Sequence, residues 1–422
     1  MMTAIIILFC FGYCCIACEH WIKINKTATA LLTGIVCWTV YIAGSPDKKE
    51  IYHQVVEHTG DFSGILFFLM GAMTIVELIS SHDGFKVITD AITTRKKRTL
   101  LWIICIVAFF LSAVLDNLTT TIVMVSLASK LLHEKNDRML FAGMIVIAAN
   151  AGGAWTPIGD VTTTMLWIGG NISSAAIVYR TFIPSLLCIV VPLIICTFSV
   201  HGTVAINATP DSSSLVPRIK RNIVFFSGIG MLLFVPVFKA LTHLPPYMGI
   251  LFGVGILWVI VELLHRDETD EARQAFSVTS ALRKIDLPSV LFFLGILVAI
   301  SALESSGILI NFATVVDQRI HDRNLVVFLT GIISSIIDNV PLVAAFMGMY
   351  DLTQFPMDHN FWIFLAYCAG TGGSLLVIGS AAGVVAMGLA KLEFFWYVRR
   401  ISLLAFSGYL IGALCYIGLE KL

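Results

Sequence analysis

Ser112-Ala113-Val114-Leu115-Asp116-Asn117 returns in the second half of the chain as Ser334-Ser335-Ile336-Ile337-Asp338-Asn339. A second matching block lies downstream of each. Asn150-Ala151-Gly152-Gly153-Ala154-Trp155-Thr156-Pro157-Ile158-Gly159-Asp160 aligns without a gap with Gly370-Thr371-Gly372-Gly373-Ser374-Leu375-Leu376-Val377-Ile378-Gly379-Ser380. All of these blocks sit in strongly apolar sequence, where a carboxylate is costly and rarely kept without a use. A duplicated set of this kind points to a transporter with one binding site built from two halves.

Composition agrees. The chain has 422 residues, 58% of them hydrophobic and 13% charged, with a mean hydropathy of +0.90. A soluble domain carries about 25% charged residues, and many apolar runs here reach the ~18–20 residues that span a hydrocarbon core. The expected class is therefore an all-α polytopic membrane protein without a separate soluble domain. Formal net charge is zero, so nothing points to nucleic acid as a partner. The N-terminal stretch lacks the basic region of a cleavable signal and reads as a retained first span. Cys10, Cys14, Cys15 and Cys18 crowd that span and read as packing residues; the spacing of the ten cysteines implies no disulfide framework.

The apolar segments run 3–20, 27–44, 62–80, 99–128, 139–169, 181–200, 223–239, 247–264, 287–306, 325–350, 361–390 and 401–420. The expected division is a first membrane repeat over 1–200, a polar cytoplasmic linker over 201–222 and a second, inverted repeat over 223–422. Phe67-Phe68-Leu69 falls on Phe292-Phe293-Leu294, and Ser80-Ser81 on Ser305-Ser306, before the paired blocks follow in the same order. Placement of Lys and Arg sets the topology. With segments 99–128 and 325–350 as re-entrant hairpins, 20 basic residues fall on the cytoplasmic side and 7 outside. That gives about ten crossings, two hairpins opening to opposite sides, two discontinuous helices, and both termini outside.

The hairpin tips carry the chemistry. A turn at membrane depth is tolerated only against protein or a wet cavity. Asp116, Asn117, Thr119 and Thr120 occupy one tip; Asp338 and Asn339 the other, with Pro341 following. Their oxygens suit a hard cation; the plainer reading is that they cap broken helices. Gly152-Gly153, Thr156-Pro157 and Gly159 should break the 139–169 segment, since proline removes a donor and glycine loosens the backbone. Asp160 follows that break with Thr162, Thr163 and Thr164 beside it, whereas Ser374, Ser380 and Gly383 stand in the second copy. The site is thus expected to be asymmetric, with three carboxylates, Asp116, Asp160 and Asp338, to hold such a cation. Glu77 and Glu304 read as interfacial residues with a gating or proton-access role as the alternative. His82 is a candidate pH sensor.

At these residues the chain resembles the NhaD-type sodium/proton antiporters of the ion transporter superfamily. The likeness rests on Ala149 through Thr164, Leu115 through Thr120, and Asp338 through Pro341. It implies exchange of Na⁺ and Li⁺ for H⁺ across a bacterial-type inner membrane and a homodimer in the lipid bilayer. It also implies a core of Asp116, Asn117, Asn150, Asp160, Thr162, Thr163, Ser334, Asp338, Asn339, Ser374 and Ser380. Related dicarboxylate carriers have Ser-Asn-Thr at the tips; Asp in place of that Ser argues against an anionic substrate. An oxyanion or dicarboxylate carrier remains the alternative, and an intramembrane aspartyl protease a remote one. The chain is expected not to be an enzyme and to need no cofactor.

Overall fold

The computed structural model describes residues 1–92, 94–132, 134–203 and 216–421. Most of the expected linker, residues 204–215, lies outside the described residues. The first half contributes α1 (Met2–Ala17), α2 (Lys26–Ala43), α3 (Lys48–Ser81), α4 (Lys97–Ser112), α5 (Asn117–Leu131), α6 (Lys135–Gly153), α7 (Val161–Ile168) and α8 (Ser174–Thr197). The second contributes α9 (Arg218–Thr242), α10 (Pro246–His265), α11 (Leu287–Ser305), α12 (Arg323–Ile333), α13 (Asn339–Met349), α14 (Asn360–Gly372), α15 (Ala381–Ala390) and α16 (Ser402–Glu420). Shorter helices link some of these.

The protein is a polytopic, all-helical membrane protein. Seven described helices have the length and apolarity to cross a bilayer by themselves: α2, α3, α8, α9, α10, α11 and α16. The ten crossings read from the sequence exceed this, because α1 has 16 residues and the spans at 139–169 and 361–390 are each broken in two. Both helix breaks begin at the expected glycine pairs, Gly152-Gly153 and Gly372-Gly373, and the first also holds Pro157. The longest helix, α3, has 34 residues against an apolar run of 62–80, because its polar first turns also wind up helically from the Asp47 cap. His58, ten residues into α3, contacts the Ser305 hydroxyl at the end of α11 at 3.0 Å.

Helices α4 and α5 form a hairpin. The Lys97 ammonium lies 2.5 Å from Asp137 at the start of α6, while Ser112 donates to the Ala149 carbonyl near its end, at 2.6 Å. So α4 runs alongside α6, and α5 returns from the tip beside Asn150 to the start of α6. Helices α12 and α13 repeat this against α14: Ser334 donates to the Ala369 carbonyl at 2.9 Å, and Arg323 stacks over Phe355 just ahead of α14.

Helix α8 relates the two hairpins. Its last residue, Thr197, accepts from Trp102 of α4 at 2.8 Å, and Arg98 reaches the Val200 carbonyl beyond it. Near its beginning, Arg180 donates to Asn360 of α14 at 2.8 Å. The bases of the hairpins therefore lie at opposite ends of α8. The break after α6 is level with Thr181, whose hydroxyl faces the Ala154 carbonyl at 3.4 Å. By helical rise, α8 extends about 10 Å to one side of that level and about 24 Å to the other. The tips lie part-way through the helical layer, away from either end of α8.

Around this central set, α2 packs on α11, α3 on α10, α9 on α10, and α8 on α16. Closeness is enforced by small residues. A Cβ at Gly152 would sit 2.2 Å from the Phe109 carbonyl oxygen, and one at Gly372 would sit 2.0 Å from that of Gly331. The same backbone contact thus joins each hairpin to its own broken helix.

A candidate ion site at the broken helices

Four helix N-termini converge on the site, each capped by the side chain before it, since the first N–H groups of a helix lack intrahelical acceptors. Asp116 caps α5, accepting from the Thr119 N–H at 2.6 Å and the Thr119 hydroxyl at 2.9 Å. Asp338 caps α13, accepting from the Val340 N–H at 3.2 Å. Asp160 caps α7 with Oδ1, which takes the Thr162 N–H at 3.0 Å and the Thr162 hydroxyl at 3.1 Å. Ser380 caps α15, accepting from the Gly383 N–H at 3.2 Å.

Capping occupies one oxygen of Asp160 and leaves the other for the site. Its Oδ2 accepts from the Asn117 amide at 2.9 Å and faces the Asn339 amide at 3.5 Å. One amide comes from each hairpin tip. The carboxylate is only 2% exposed. Asn150 completes the ring: its Oδ1 accepts from Asn117 at 3.1 Å, and its amide donates to Ser374 at 3.2 Å and Ser380 at 3.0 Å. Asn150, Ser374 and Ser380 are buried too. The arrangement joins both halves through uncharged amides and hydroxyls around one carboxylate. The space is made partly by an absence: Gly370, which aligns with Asn150, would bring a Cβ within 3.7 Å of Asp160 Oδ2.

The remaining expected site residues fall around this ring. Thr163 donates to the Asp160 carbonyl at 2.8 Å and Thr164 to that of Pro157 at 3.0 Å, so both brace the break. Ser334 is the tie to α14. Asp116 turns both carboxylate oxygens, and Asp338 one, onto its own helix, and it is the next residue at each tip, asparagine, that reaches Asp160. Among the described residues, no group of three or more His, Cys, Asp and Glu side chains is placed to hold a metal ion jointly. The buried Thr120 hydroxyl, one turn into α5, has no hydrogen-bond partner among the described residues.

The more distant candidates have partners of their own. Glu77 lies 3.8 Å from Lys284. Glu304 is half-buried, its carboxylate in line with where a Cβ at Gly348 would stand. His82 is fully buried, with Nδ1 donating to the Leu78 carbonyl at 2.7 Å and Nε2 facing His265 Nε2 at 3.1 Å. His265 in turn meets Glu268 at 2.6 Å, and Glu268 accepts from Lys220 at 2.5 Å. Sequence reading missed His265 and also Lys26, whose ammonium lies 3.9 Å from Asp338. Neither stands in a motif, and their contacts join segments far apart in the chain.

Comparison with known proteins gives consistent matches. A family model described as citrate transporter matches residues 13–362. Sodium/proton antiporter 1 of Arabidopsis thaliana is 50% identical over 423 residues, covering 100% of this chain and 73% of that protein. Sodium/proton antiporter 2 of the same plant is 47% identical over 420 residues, covering 98% and 99%. The Na(+)/H(+) antiporter NhaD of Vibrio cholerae is 29% identical over 426 residues, covering 92% and 85%.

Proposed function

The chain belongs to the family matched by the citrate-transporter model and, within it, to the NhaD-type sodium/proton antiporters; from that premise we propose that it exchanges Na⁺ and Li⁺ for H⁺ across its membrane. The cation and the proton compete for Asp160, with Asp116 and Asp338 at the tips as the other two acidic partners. Na⁺ binds the deprotonated site, protonation expels it, and only the loaded or protonated site reorients.

One observation carries the reading: a single buried carboxylate, Asp160, is ringed by Asn117, Asn150, Asn339, Ser374 and Ser380 from both halves. An asparagine can turn its NH₂ toward a bare carboxylate or its carbonyl oxygen toward a cation beside it. Such a ring suits both states of an exchange site. Thr120 supplies a further oxygen near the tip.

The citrate-transporter description of the family model supports the rival anion reading. Against it, a carboxylate substrate in this ring would face Asp160, to which no cationic side chain among the described residues is bonded. Aspartyl protease chemistry wants two carboxylates sharing a proton, whereas Asp160 Oδ2 faces two amides.

In this reading the repeats 1–200 and 223–422 are inverted relative to one another and both termini lie on the outer side, as the basic residues argue. Bacterial relatives support the bacterial-type inner membrane expected from the sequence. Two of the relatives are from a plant, and the mechanism itself needs only a membrane that holds a proton gradient. A homodimer is the assembly that the resemblance implies.

The test is Na⁺-induced proton movement in proteoliposomes. Asp160→Asn, Asp116→Asn and Asp338→Asn should each abolish it, and normal exchange in any of them removes that residue from the mechanism. Uptake of citrate by the wild type without Na⁺/H⁺ exchange would favour the anion carrier instead.

A further inference from the structure

The two tip aspartates are equivalent in sequence but differently furnished. Asp116 has both oxygens engaged by Thr119, one by its N–H and the other by its hydroxyl. In the ungapped alignment of the tips, the residue at the Thr119 position of the second copy is Pro341. Proline has neither a hydroxyl nor an N–H. Asp338 therefore keeps Oδ1 on the Val340 N–H, while its helix offers Oδ2 no matching donor.

What stands opposite Oδ2 is the Lys26 ammonium, at 3.9 Å. That is beyond a direct hydrogen bond but well within electrostatic range. The lysine belongs to a different part of the molecule. It opens α2, where its own N–H donates to Glu19 at 3.1 Å and the next residue, Thr27, bonds the Pro288 carbonyl at the start of α11 at 2.9 Å. Its ammonium also lies 4.4 Å from the centre of the Phe292 ring, a favourable seat for a cation. The side chains of Lys26 and Asp338 are 35% and 25% exposed, so the pair is wet, unlike Asp160. The corresponding first turn of α10, Pro246-Tyr247-Met248, has no charged residue. Among the described residues, a basic side chain lies within 4 Å of Asp338 and none of Asp116.

We infer that Lys26 is a tethered counter-cation for Asp338: its ammonium holds the Asp338 carboxylate when no ion is bound and must give it up to the incoming cation. A single carboxylate oxygen cannot serve the ammonium and Na⁺ at full strength together. Lys26 therefore sets the apparent affinity for the transported cation, and does so from the α2–α11 wall rather than from the hairpin. This rests on the cation-exchange reading above.

Na⁺ dependence of exchange in proteoliposomes tests it. Lys26→Gln should lower the KM for Na⁺ by about three- to tenfold, the scale of a partly solvated ion pair, with a smaller change in maximal rate. Lys26→Arg, which keeps the charge, should stay near the wild-type KM. Lys26→Met removes the charge while keeping an unbranched side chain, and serves if the glutamine variant does not fold. An unchanged or raised KM in the folded neutral variant overturns the inference while wild-type exchange stands. Absence of exchange in the wild type would instead overturn the reading on which it rests.

Discussion

Truncating Asn150 to alanine is the sharpest probe of how the two halves cooperate. Its fully buried amide makes three hydrogen bonds, to Asn117 in its own half and to Ser374 and Ser380 in the other. A net contribution of about 1 kcal/mol for each bond gives an upper figure of roughly 3 kcal/mol. The two serines soften the loss. Ser374 still donates to the Thr371 carbonyl at 2.9 Å, and Ser380 still accepts from the Gly383 N–H. That leaves about 2 kcal/mol, plus an Asn117 amide that has lost one of its two acceptors and can turn away from Asp160. If the loss bears on the ion-loaded state, roughly 30-fold slower exchange follows, since 1.4 kcal/mol is a factor of ten. The assay pairs Na⁺-dependent proton movement in proteoliposomes with thermal melting of the purified protein. Asn150→Ala should lower both the rate and the melting midpoint. Exchange within twofold of wild type, with an unchanged midpoint, would refute the claim that Asn150 couples the halves.

Gly152→Ala and Gly372→Ala place a methyl 2.2 Å and 2.0 Å from backbone carbonyl oxygens, so each hairpin must part from its broken helix by more than about 1 Å, at a cost of roughly 1–3 kcal/mol or more. Both variants should melt earlier and exchange more slowly; a wild-type melting curve in either would show that the contact is not tight. The His82 contact predicts acid sensitivity. Burial pushes His82 down from 6.5 to about 4, with His265, Glu268 and Lys220 facing it. The folded protein keeps this ring neutral while the unfolded chain takes up a proton below about pH 6.5, so stability should fall as pH drops from 6.5 toward 4 and then level off. His82→Gln should flatten the melting midpoint over that window, and an undiminished slope would count against it. Glu268 is held below the usual carboxylate range by Lys220 and His265, so its contribution is lost only at still lower pH.

The sequence was most legible where it broke its own rules. Gly152-Gly153 and Pro157 are poor helix formers in the middle of an apolar run, and α6 indeed stops at Gly153. Aspartates in membrane-grade sequence flagged the tips and Asp160 for the same reason. Less legible was the direction each carboxylate faces. Asp116 and Asp338 precede helices, and a free N-terminus draws the preceding side chain onto its own N–H groups. The adjacent asparagines, already inside the helices, are left to reach Asp160. The capping alternative was visible in the sequence, but which residue would then turn inward depends on how two distant hairpins meet. The contacts of Lys26 with Asp338 and His82 with His265 have the same origin: each joins elements far apart in the chain, and no local pattern encodes them.

Helix α3 is longer than a bilayer's hydrocarbon core is thick. Its 34 residues rise about 51 Å, against a hydrocarbon core of about 30 Å. His58 is level with the end of α11, so residues 48–57 stand about 15 Å beyond it as a largely polar stalk. Tyr52 on this stalk is 64% exposed. A label there would act as a compass needle, telling which way each molecule was inserted into a vesicle whether or not that molecule carries ions.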